Sequence, residues 1–218
     1  MEQLFSFIES GISRGGEAEE ILSEVCTDGT LRDCLISVSK EPESHGMLCY
    51  RHPNGFYKMK VLSPGTHAWA LRIHLWDAPV PPSDVHDHRW NFASFVVSGQ
   101  LQESQFSIVR GTGSDQAFTL TRSMDGYHYM PDGMCQLAEV GRRTHTPGQA
   151  YTLDHRVLHR ADPVSGYPVI TAVLQGRDVK DTTTVVPGTV WSSDLAVRPL
   201  DWETVARLME TTAERLGV

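Results

Sequence analysis

Apolar residues recur at helical spacing through the first forty positions and at a spacing of two from Gly55 onward. Leu4, Phe7 and Ile8 lie on one helical stripe, and Glu17 to Val25 forms a second amphipathic piece. A mostly helical stretch from Glu2 to Val38 follows, interrupted at Gly15-Gly16 and Asp28-Gly29. Past Gly55 the pattern predicts strands over Phe56–Leu62 and His67–Trp76, then a stiff loop at Pro79, Pro81 and Pro82. Further strands are expected over His86–Leu101 and Glu103–Arg110, joined near Gly99, with a turn at Gly111–Ser114. Phe118–Arg122, Tyr127–Tyr129, Cys135–Val140, Ala150–Leu153, Leu158–Ala161 and Val169–Gln175 complete the β region. Trp202 to Leu216 reads as a closing helix entered through Leu200-Asp201. Many short strands with Gly and Pro turns predict a closed sandwich or barrel.

Composition narrows the class of partner. The 218 residues, 40% of them hydrophobic, suffice for one domain with a full core. A net charge of -8 argues against a general nucleic-acid or anionic-membrane surface. No apolar run reaches membrane-spanning length, and the N-terminus lacks a secretory signal pattern, so a cytoplasmic protein is expected. The four cysteines, Cys26, Cys34, Cys49 and Cys135, show no paired spacing, which fits reduced thiols better than disulfides or a four-cysteine zinc site.

The candidate chemistry centres on His86-Asp87-His88. Side chains two residues apart diverge on a helix but share a face on a strand. Two such imidazoles can grip one metal ion, and a third ligand would hold it well while leaving positions open for water or substrate. His159 is the favoured third ligand, with His155 as its competitor.

The order of these residues resembles the cupin superfamily. Its first motif is matched by His86, His88 and Gly99, its second by Pro147-Gly148, Tyr151–Leu153 and His159. Tyr57, Trp76, the histidine pair, Gly99 and Leu158-His159-Arg160 resemble the cysteine dioxygenase family more closely, over roughly residues 55 to 175. The resemblance implies a mainly β fold, the double-stranded β-helix or jelly-roll barrel. N-terminal helices (1–45), a barrel core (55–190) and a C-terminal helix (200–217) would form a single domain. It further implies one Fe(II) held by His86, His88 and His159, with open positions for a small substrate and for O2 as co-substrate. The usual cupin glutamate is missing, since Phe92 or Ala93 stands where it would fall.

Other positions depart from the family. Its cross-linked cysteine and tyrosine would fall near Ala93 and within Ile170 to Leu174, which contain neither Cys, Tyr nor His. Its carboxylate-clamping arginine would fall at Met59. Free cysteine is therefore not the expected substrate, although an amino-acid-like or thiol-type molecule is. If Trp76 faces the lumen, strand parity puts His74 and Arg72 on the same face. Arg72 could then clamp an acidic group and His74 could donate or accept a proton. Tyr57, Met59, Arg72 and Trp76 are the expected substrate contacts. The favoured function is an Fe(II)-dependent cupin oxygenase. Its competitors are a Zn, Ni or Mn cupin acting as isomerase or lyase, and a small-ligand-binding module. By analogy with cupins, a homodimer is expected.

Overall fold

The structure, a computed structural model, describes residues 1–45, 48–65, 68–123, 126–188 and 198–216, with backbone only at residues 122, 123, 126 and 127. His67, expected to open a strand, lies outside them. Helices α1 (Glu2–Ser13), α2 (Ala18–Thr27) and α3 (Thr30–Ser39) break where glycine removes the helical bias, at Gly15-Gly16 and at Gly29 with φ +89°. Their apolar stripes are buried: Leu4 and Ile8, then Ile21, Leu22 and Val25, then Leu31, Leu35 and Val38. Helix α4 (Trp202–Arg215) joins them through Val205, Leu208 and Met209. Its entry is capped by Asp201, whose carboxylate accepts from the Thr204 amide at 2.7 Å.

The strands are β1 (Leu48–Arg51), β2 (Tyr57–Leu62), β3 (Ala70–Trp76), β4 (Val85–His86), β5 (Phe92–Ser123), β6 (Gly126–His145), β7 (Ala150–Leu153), β8 (Leu158–Gln175) and β9 (Thr182–Val186). All pairings between them are antiparallel. The ladder closes on itself: β5 pairs β8, β8 pairs β4 through His86 and His159, β4 pairs β9, and β9 returns to β5. A mainly β barrel with helices at both ends is the fold class expected from the strand pattern and the cupin resemblance.

Strand parity divides this sheet into two chemically distinct faces. Met59, Val61, Leu71, Ile73, Leu75, Ala93, Phe95, Ile170, Ala172 and Leu174 pack with the helices in one apolar cluster. The alternate residues Lys58, Arg72, His74, Trp76, Phe92, Ser94, Thr171 and Val173 line an internal cavity.

Several strand boundaries differ from expectation. There is no break at Gly99; β5 runs through it with shifts of register, and Gly99 sits at φ +72°. A Cβ there would stand 2.7 Å from the Gly166 carbonyl oxygen, so backbone packing dictates the glycine. Gly111–Ser114 does not end a strand either. Cys135 pairs with both Arg110 and Asp115, so the four residues between bulge from a ladder that continues. The expected strands over 127–129 and 135–140 merge into β6, and those over 158–161 and 169–175 into β8. β1 and β9 were not expected from the pattern: each has four or five residues, too few to show a period clearly.

Candidate metal centre

His86 stands directly across from His159 in the β4–β8 pair, and His88 follows two residues later. Ring nitrogens of the three lie within 4.8 Å of one another. His86 Nδ1 donates to the Asp84 carbonyl oxygen at 2.9 Å, which leaves Nε2 as its lone-pair nitrogen. The Nε2 atoms of His88 and His159 are 2.9 Å apart. Two nitrogens bound at right angles to one ion with bonds of about 2.1 Å would be separated by about 3.0 Å. Burial pulls all three imidazoles below their ordinary pKa, and the repulsion a proton on His86 or His159 would exert adds to this at His88. Neutral, close and convergent, the three rings fit a divalent transition metal.

Asp87 points the other way. Its carboxylate accepts from the Thr184 amide at 2.8 Å and pairs with Lys180 at 2.6 Å, which ties the motif to β9. The His88 amide bonds the His155 carbonyl oxygen at 3.3 Å. His155 itself is engaged elsewhere: its Nδ1 and amide both reach Asn91 Oδ1 at 2.8 Å. It therefore supports the motif through its backbone and does not replace His159. Upstream, the proline-rich loop is fixed by the Ser83 amide on Asp162 at 2.9 Å. Phe92, where a cupin glutamate would fall, meets the His88 ring edge-on at 4.9 Å between centroids. Ala93 lies on the helix-facing side.

The histidines form part of the wall of a cavity of about 80 Å³, room for on the order of six water-sized groups. A second, outer hollow of about 150 Å³ shares Lys58, His86, His88 and Trp90 with it. The parity argument brings Arg72, His74 and Trp76 to the inner cavity. Arg72 donates from Nε to Gln175 Oε1 at 2.7 Å, and its guanidinium lies 6.0 Å from the centre of a Trp90 ring. His74 packs between Phe56 and Trp76, with Nε2 buried and without a hydrogen-bond partner. Burial and the nearby Lys58 and Arg72 charges drive its pKa well down, so the ring is neutral.

Two expected substrate contacts need correction. Met59 is fully buried against the helices, and Tyr57 packs against the same cluster while its hydroxyl accepts from Arg51 at 3.0 Å. Both have the parity of the helix-facing side. A shift of one position reverses the face of a strand residue, so the cation that reaches the cavity is Lys58, one residue before Met59. Trp90, Ser94 and Tyr151 line the cavity too, beyond the expected contacts. Ser94 and Phe92 are legible by parity from Trp76, once β5 is known to pair with β8. Tyr151 comes from β7, and burial raises its phenol to about 12, so it stays protonated beside Ser94.

No family model matches the chain, and no curated protein does. Solved structures with some likeness include KdgF from Halomonas sp., at 13% identity and a TM-score of 0.34 over 56% of this chain and 82% of that one. Hydroxypropylphosphonic acid epoxidase from S. wedmorenis shows 8% identity and a TM-score of 0.39, over 61% of this chain and 56% of its own. Hydroquinone 1,2-dioxygenase PnpCD shows 10% identity and a TM-score of 0.35, over 55% and 63%. These likenesses are too distant to carry a functional argument, which rests on the residues.

Proposed function

We propose that the chain is a mononuclear metal-dependent oxygenase of the cupin type, with His86, His88 and His159 holding Fe(II). The observation that carries this reading is the convergence of three neutral imidazoles, His159 buried and His86 and His88 partly so, on the wall of a small cavity. When bound, Fe(II) would supply redox chemistry with O2 and open positions for a small substrate. The chain's own residues orient and shield that substrate. Trp76, Trp90, Phe92 and Val173 keep the cavity apolar, Arg72 anchors an acidic group, and neutral His74 takes up or returns a proton at Nε2. The thiol-dioxygenase likeness supports this only through the barrel and the ligand triad. Tyr151, the tyrosine in the cavity, comes from a different strand than that family's would.

The test is anaerobic loading with Fe(II), metal analysis, and O2 uptake with a panel of small thiols, amino acids and organic acids. One iron per chain and substrate-dependent uptake are expected, with both lost in His86→Ala and His159→Ala. Turnover by a metal-free preparation would discard the proposal. The unpartnered Nε2 of His74 favours a second reading, proton-transfer chemistry on a Lewis-acidic metal. Turnover under strict anaerobiosis would select it.

A further inference from the structure

Lys58 is a cation without an answering charge. It faces the cavity from β2, across the ladder from His74 and diagonal to Arg72, close enough for long side chains on one face to converge on a common group. Among the described residues it forms no ion pair or hydrogen bond. Among the described residues no Asp or Glu lines the inner cavity. The carboxylates nearest the motif are committed: Asp87 to Thr184 and Lys180, and Asp84 to the Gly188 amide at 2.8 Å. Arg72 is already oriented by Gln175 and Trp90. Three neutral histidines would also leave the charge of a bound dication undischarged. A cation held in a cavity is costly unless paired, so Lys58 leaves a demand for negative charge unmet among the described residues. The protein answers part of it by lowering Lys58 to about 7, through burial first and then the charges of Arg72 and Arg89.

We infer that the substrate carries an oxyacid anion, bound between Lys58 and Arg72, and no ammonium group, with Lys58 as the residue that sets this specificity. The inference rests on the proposed function only in taking this cavity as the substrate site. An ammonium entering it would meet two cations and no carboxylate. The guanidinium fork suits a planar or tetrahedral oxyanion, and the ammonium adds a point charge beside it. The cavity admits only a compact molecule.

The experiment uses the metal-free protein, so that the anion cannot be held by a metal, and reads tryptophan fluorescence, since Trp76 and Trp90 line the cavity. The probes are inorganic phosphate, acetate, glycolate and glycine. Saturable binding of phosphate or of the carboxylates supports the inference, and whichever binds tighter identifies the acid group. Glycolate should bind at least tenfold tighter than glycine. Lys58→Met should weaken anion binding at least tenfold, and Lys58→Arg should restore most of it. Metal uptake, followed separately by metal analysis, is read independently of these metal-free titrations, which separates this inference from the metal reading. No saturable binding of any probe by the wild type would overturn it. So would equal binding of glycine and glycolate, or unchanged affinity in a natively folded Lys58→Met.

Discussion

A single position in β2 separates a hydrophobic contact from a charged one. Met59 is fully buried under the helices, while Lys58, with the opposite parity, lines the cavity beside the histidines. That placement makes stability depend on pH in a particular direction. Burial first, and then the charges of Arg72 and Arg89, disfavour the charged form of Lys58, which in turn lowers the pKa of the histidines 52, 74 and 86. Its folded pKa, about 7, lies below the ordinary 10.5. Between those values the unfolded chain binds the extra proton, so the Lys58 contribution makes the fold more stable as pH rises from about 7 toward 10. From pH 7 to pH 9 the urea midpoint of the metal-free protein should shift further upward, or less downward, in the wild type than in Lys58→Met. Comparing the two proteins cancels the buried cysteines, whose raised thiols act in the opposite sense. A midpoint difference identical in both would refute this account. At this scale much of the site was legible. His86, His88 and His159 follow from strand parity and motif spacing, and Arg72 and His74 follow from Trp76. Lys58 was missed because register relative to a family pattern, one residue adrift, hides which neighbour turns inward.

Elements divide the labour between the two faces of the sheet. The helices cover the apolar face, while the three histidines line the cavity. Leu22 of α2 is fully buried in that cluster. Leu22→Ala should therefore cost about 2–5 kcal/mol of stability, the usual range for emptying such a site. Metal stoichiometry at a temperature where the variant is folded should not change. Chemical denaturation and metal analysis on the same preparation check both halves; loss of metal from the folded variant would show that the faces are coupled. The helices and longer strands were readable because their apolar periods run for several turns or alternations. Strand ends were not. A bulge at Gly111–Ser114 and a glycine at Gly99 look the same in sequence as turns, because both serve the same backbone need. What decides between bulge and turn is the partner strand, which no local pattern contains.

The whole molecule is organised by a ring of ladders in which β4, two residues long, is the narrowest link. The described helices include none long and apolar enough to cross a membrane. The barrel's topology was legible only as a class, since ring closure joins segments more than seventy residues apart, as His86 and His159 show. Their pairing gives the barrel a consequence beyond the proposed chemistry. A metal ion shared by these two residues would act as a clasp on a chain that otherwise meets there through one short rung. Opening of the ring would have to release the ion first. Metal present at a hundred times its dissociation constant should therefore suppress such openings by about 2.7 kcal/mol, roughly a hundredfold. The His88 amide, bonded to the His155 carbonyl beside this seam, would report it. Its hydrogen exchange should slow on metal addition far more than exchange in α1. Uniform slowing, or none, would show that the ring does not open at this seam. The shortest strand of the barrel would then tie retention of the ion to closure of the ring, so that metal affinity and the integrity of the barrel become one property of two residues.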